Sequence, residues 1–142
     1  MKKLFLLLLL ALTLFANEKE VLQAQILEKI FQNITIKEEI VLWSDDKTLL
    51  EEIKKSGRFA TTHDCLKATL LILQEKKNLP DGICKKAVFV LDYTLLKEIP
   101  QSFGAMFWKK GRPNIVLIES RTQTYSIQIG KGLEMYVEEK IW

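Results

Sequence analysis

Metal-binding and redox side chains are nearly absent from this 142-residue chain: His63 is the one histidine, and Cys65 and Cys84 are the two cysteines. A zinc site takes three or four ligands, and His63-Asp64-Cys65 with Cys84 has no second histidine to complete one. No CxxC pair exists, which argues against a thioredoxin-like dithiol. No Gly-rich phosphate loop follows an apolar run, so a nucleotide site lacks its usual signature. A nucleophile, a base and an orienting group cannot be assembled from these residues, and the expectation is a protein that is not an enzyme, with no cofactor and no metal. Charge of one sign is also scarce. The 21 basic residues face 18 acidic ones, and setting aside Lys2 and Lys3 leaves 19 against 18. Such a near-neutral domain lacks the basic excess by which nucleic-acid binders are recognised, so no nucleic acid is expected as a partner. Internal repeats, low-complexity tracts and a second long apolar run are missing too.

The first sixteen residues are different in kind. Lys2 and Lys3 precede an apolar run from Leu4 to Leu12, and Thr13-Leu14-Phe15-Ala16 leads into the polar Asn17-Glu18-Lys19-Glu20. A charged start, an apolar stretch of this length and a terminal small residue make a secretory signal peptide. The run is shorter than the ~20 residues a membrane-spanning helix needs. Residues 1–16 are therefore expected to be a signal cleaved after Ala16, retention as an anchor being the alternative, and 17–142 a single α/β domain in an oxidising periplasm.

Within that domain, Leu22, Ile26 and Ile30 with Leu27 and Phe31 predict an amphipathic helix over 19–31. Residues 39–43 read as a buried strand. Ser44-Asp45-Asp46 offers N-caps for a helix whose Leu49, Leu50 and Ile53 form a face that stops at Ser56-Gly57. The runs 67–73 and 86–91 are continuously apolar, as in parallel strands buried on both faces. Between them, 73–79 has room for a short helix. Asp92 is placed to cap a brief helix with Leu95, Leu96 and Ile99, ended by Pro100. Residues 103–108 and 113–119, joined through Lys109-Lys110-Gly111-Arg112, read as a β-hairpin with Gly111 at positive φ. Leu133, Tyr136, Val137 and Ile141 predict a C-terminal amphipathic helix. The fold class expected is α/β: a small, mainly parallel sheet of about three strands with flanking helices and an edge β-hairpin.

Four sets of residues carry candidate chemistry. Cys65 and Cys84 each precede a predicted strand; if those strands are parallel neighbours, the two positions fall at disulfide distance, and an exported chain with an even cysteine count favours the bond over free thiols or a redox or metal role. His63 beside them reads as a loop residue. Asp45, Asp46 and Asp92 follow strands at the C-terminal edge of the sheet, where open α/β folds bind ligands, and equally stand where helix N-caps are wanted. Trp108, Lys109, Lys110 and Arg112 form a basic, aromatic hairpin tip, suited either to an acidic partner or lipid headgroups or to a solvated turn that protects a sheet edge. Trp43 and Trp142 read as core or core-edge packing.

The order of these parts resembles the YfiR-like family of small periplasmic proteins. The likeness lies in a signal followed by a helix near 21–31, strand and helix over 40–57, a cysteine opening the strand at Cys65-Leu66-Lys67-Ala68-Thr69-Leu70-Leu71-Ile72, the strand 88–92, and Ser102-Phe103-Gly104-Ala105-Met106-Phe107 leading to the Gly111 hairpin. Members of that family repress membrane-bound diguanylate cyclases from the periplasmic side. The resemblance therefore implies a regulator that binds a membrane-protein partner at its periplasmic face. The alternative from the residues themselves is a small-ligand-binding domain like one lobe of a periplasmic solute-binding protein, with Asp45, Asp46 and Asp92 lining its cleft. Association into a homo-oligomer stays open.

Overall fold

A computed structural model describes residues 18–141. The signal-peptide reading of residues 1–16 and the packing expected of Trp142 lie outside them. Residues 18–32 are helical (α1). They are followed by β1 (Ile34–Thr35), β2 (Val41–Ser44), α2 (Lys47–Ser56), β3 (Ala60–Thr61), β4 (Leu70–Leu73), β5 (Ala87–Val90), α3 (Thr94–Glu98), β6 (Ser102–Lys109), β7 (Arg112–Ile118), α4 (Glu119–Thr124), β8 (Gln128–Ile129) and β9 (Val137–Glu138). Short 3-10 turns occupy Lys76–Asn78, Gly82–Cys84 and Lys131–Tyr136.

Seven strands form one sheet in the order β3-β2-β4-β5-β6-β7-β9, and β1 pairs with β8 in a separate two-stranded sheet. From β3 through β6 every pairing is parallel; β7 returns antiparallel to β6, and β9 adds parallel to β7. The α/β class and the mainly parallel sheet are as the sequence predicts. The apolar runs explain the arrangement. All four residues of β4, and all four of β5, are buried, which requires a layer on each face. On one face Leu70, Ile72, Phe89, Phe103, Met106 and Leu117 pack with Leu27, Ile30 and Phe31 of α1 and Leu49 and Ile53 of α2. On the other, Leu71, Leu73, Val88, Val90 and Ala105 pack with Leu95 and Leu96 of α3.

Local chemistry sets the helix ends as expected around α2. Asp46 is its N-cap, accepting the Leu49 N–H at 3.1 Å, and Gly57 ends it with φ 71°. Residues 131–141 differ from the expected C-terminal amphipathic helix. They form a 3-10 turn and then strand β9, whose Val137 registers with Leu117 and Glu138 with Ile118. Gly130 and Gly132 seat against Asn33, where a Cβ would come within 2.9 and 3.1 Å. The following Val137 is β-branched and fills the open edge of β7 better than it extends a helix. The hairpin accordingly reaches the sheet edge only through the two residues of β9.

The face of α1 is also rotated from the expected one. Leu22 is 46% exposed, while Ala24, Leu27, Ile30 and Phe31 are buried. Phe31 sets this roll, meeting Phe89 and Phe59 edge-on at centroid distances of 5.4 and 6.3 Å. The same roll buries Glu28, which accepts a hydrogen bond from Ser56 and lies 4.0 Å from Arg58. The strand expected over 67–73 is confined to β4, because Asp64 turns the preceding chain by accepting the Leu66 N–H at 3.0 Å and, through its carbonyl, the Lys67 N–H at 3.0 Å.

Candidate functional site

The parallel strands end together at one edge of the sheet, and β6 alone runs on past it with β7. The β5–β6 register stops at Val90↔Ala105. Beyond it, Met106↔Ile115, Phe107↔Asn114, Trp108↔Pro113 and Lys109↔Arg112 form a free two-stranded ribbon. At ~3.4 Å per residue it projects by about 10 Å. Lys110 (φ 53°) and Gly111 (φ 73°) close it. Positive φ at both central residues of a two-residue loop is the type I′ combination, which matches strand twist. The sequence anticipates this for Gly111 and gives no sign of it at Lys110.

The ribbon is anchored at its root by Phe107, whose ring meets Tyr93 at 5.3 Å and 62°. Trp108 is half-buried, and its indole Nε1–H is shut off from solvent with no acceptor among the described residues. Lys109, Lys110 and Arg112 are exposed, and none of them forms an ion pair among the described residues. The register sets Lys109 directly opposite Arg112. Like charges facing each other across a ladder destabilise it. The tip thus combines three cations without ion pairs among the described residues and a half-buried aromatic ring beside them.

The other predicted site residues are committed to the fold. Asp45 accepts the backbone N–H groups of Gln74 and Glu75 at 2.8 and 3.1 Å and the Asn78 amide at 3.0 Å, tying the end of β2 to the end of β4. Asp46 caps α2. Asp92 accepts from both the N–H and the hydroxyl of Thr94 at 3.0 Å. All three stand at the C-terminal edge of the sheet, each holding donors of this chain. Cys65 and Cys84 form a disulfide with Cα atoms 5.9 Å apart, ahead of the adjacent parallel strands β4 and β5. His63 is exposed, 3.9 Å from Glu51. Trp43 is half-buried against the α3-side core.

Sequence reasoning did not find three further features. Arg121, half-buried, binds the C-terminal end of α3 and the start of β6. A cleft of about 260 Å³ between α1 and α2 is lined by Ala24, Gln25, Glu28 and Glu52. A second cleft, of about 360 Å³, opens at the N-terminal edge of the sheet between Lys37, Lys85, Lys86 and Tyr125. Its residues come from four separate segments, so no local motif announces it. Among the described residues, no cluster of three or more His, Cys, Asp or Glu side chains could hold a metal ion, and no helix is long and apolar enough to cross a membrane. No protein-family model matches this chain, and no curated protein matches it in sequence.

Proposed function

We propose that this protein is an exported, non-enzymatic binding module that uses the β6–β7 ribbon to engage an acidic surface of a membrane protein at its periplasmic face. The observation that carries the reading is the ribbon tip: Lys109, Lys110 and Arg112 stand clear of the sheet without ion pairs among the described residues, next to the half-buried Trp108. Arginine and aromatic residues are what interface centres favour. Basic charge on a projecting element steers encounter with an acidic surface. Export is supported by the pattern of residues 1–16, and the Cys65–Cys84 disulfide is in keeping with an oxidising compartment. The order of elements, which resembles the YfiR-like family, extends the reading to control of a membrane-bound signalling enzyme such as a diguanylate cyclase.

Affinity capture from detergent-solubilised envelopes, at low and moderate salt, tests this. The wild-type protein should recover a membrane protein with an acidic extracytoplasmic surface, and Lys109→Ser/Lys110→Ser/Arg112→Ser should recover much less of it, with a weaker salt dependence. Equal recovery by both proteins would return the tip to the role of a solvated turn.

A further inference from the structure

The cleft at the N-terminal edge of the sheet lies at the opposite end from the ribbon. Its apolar floor is Leu70 and Ala87 at the starts of β4 and β5, with Ile36 and Ile127 beside them. Its rim carries Lys37, Lys85 and Lys86 against one carboxylate, Glu38. None of the three lysines forms an ion pair among the described residues. Three lysines against one glutamate give the rim a formal net charge of about +2. Its volume, about 360 Å³, falls within the range of small-molecule clefts, about 300–1,000 Å³.

Two features fix this rim in place. Lys85 and Lys86 directly follow Cys84, so the bond to Cys65 holds the segment that presents them. Across the cleft, α4 ends in a Schellman motif, with Ser126 N–H bonded to the Gln123 carbonyl at 3.1 Å and Ile127 N–H to the Thr122 carbonyl at 2.8 Å. Ser126 takes the left-handed position of that motif (φ 55°), which glycine usually fills. A hydroxyl-bearing residue is thus kept at the cleft wall against backbone preference. Next to it stands the Tyr125 phenol, neutral at pH 7 as any tyrosine is, with burial raising its pKa further against the smaller opposing effect of Arg121. It is available as a neutral donor.

We propose that this cleft binds a small organic dianion, its two charges met by Lys37, Lys85 and Lys86 and its carbon skeleton by Ile36, Leu70 and Ala87. Dicarboxylates and phosphomonoesters share that chemistry. The ribbon, at the other end of the sheet, contributes no residue to this cleft.

Calorimetric titration of the purified protein, disulfide intact, with glutarate, phenyl phosphate, inorganic phosphate and uncharged glutaramide tests it. One-site binding of glutarate or of phenyl phosphate, and none of glutaramide, is expected; which of the two binds identifies the kind of dianion. Lys85→Gln/Lys86→Gln should weaken that binding at least about tenfold, as befits two charges removed from a partly desolvated cleft. Lys109→Gln/Lys110→Gln should leave it unchanged. The lysines are exposed or half-buried, so equal melting temperatures will show that the variants fold. No binding of either organic dianion at millimolar concentration, binding undiminished in the Lys85/Lys86 variant, or inorganic phosphate binding as tightly as phenyl phosphate would overturn the proposal.

Discussion

The guanidinium of Arg121 donates to both the carbonyl and the hydroxyl oxygen of Ser102, at 2.8 and 3.0 Å, and the same nitrogen reaches the Leu96 carbonyl at 2.7 Å. One side chain on α4 thereby gathers the end of α3 and the start of β6. Ser102 is fully buried, and Leu96 beside it is as well. Burial holds the Arg121 pKa below its ordinary value, with Tyr125 partly offsetting this; the group stays charged throughout the working pH range.

Arg121→Met should therefore cost about 2–4 kcal/mol, because it strands buried acceptors that now receive a charge-assisted donor. Arg121→Lys should cost less, since an ammonium restores the charge without the planar fork. Urea unfolding measures both. A loss below about 0.5 kcal/mol for the Met variant, the level of an ordinary surface change, would show that Arg121 does not hold these segments together.

The Cys65–Cys84 bond closes a loop with a sequence separation of 19, worth about 3 kcal/mol on the chain-entropy estimate. Thiol titration of the denatured, unreduced protein should find no free thiol. Cys65→Ser should lower stability by about 2–5 kcal/mol. Two titratable thiols would show that the bond is absent and that nothing covalent restrains the segment carrying Lys85 and Lys86.

Glu20 gives stability a pH dependence of definite sign. Its Oε2 is closed to solvent with no hydrogen-bond partner among the described residues, and burial raises its pKa above 4.5, with Asp46 and Glu52 adding repulsion and Lys19 opposing it. The folded state thus holds this proton more tightly than the unfolded one. Its contribution to stability is full below about pH 4.5 and is lost as pH rises through the raised folded value. Glu20→Gln should stabilise the protein at pH 7, with an advantage that shrinks on acidification toward pH 4. Thermal melts across that range decide the matter; an advantage that grows with acidity would contradict the assignment.

Legibility in the sequence follows the range of the interaction. The β4 and β5 runs, the Asp46 and Gly57 ends of α2 and the Gly111 turn depend on neighbours in sequence, and all are readable there. The Cys65–Cys84 pairing is readable one step further out, because adjacency of β4 and β5 makes it geometrically available. The failures are long-range. Val137 leaves a helical pattern because Leu117 offers it a strand edge, and Leu22 loses its place on the α1 face because Phe31 is drawn toward Phe59 and Phe89. The lysine-rimmed cleft is assembled from residues 36–38, 69–70, 85–87 and 124–127, and no single one of these segments is unusual.

Lys110 is the place where local turn chemistry and the observed residue disagree, and it separates a passive turn from a working one. It holds φ 53° ahead of Gly111 in a two-residue loop. Asn is strongly preferred at that position because its short polar side chain tolerates the left-handed conformation. Lysine there adds a third cation beside the facing pair Lys109 and Arg112, so the tip carries backbone strain and like-charge repulsion together. Natural chains tolerate such conflicts mainly at functional positions. Lys110→Asn should accordingly raise stability by about 0.5–1 kcal/mol, as substitutions matched to an unusual backbone conformation do. If the tip engages the proposed acidic membrane-protein surface, the same change should slow that association and flatten its dependence on salt, since one steering charge is gone. Greater stability with unaltered association would assign the tip to folding alone, and greater stability bought at the expense of association would identify Lys110 as a residue kept for binding.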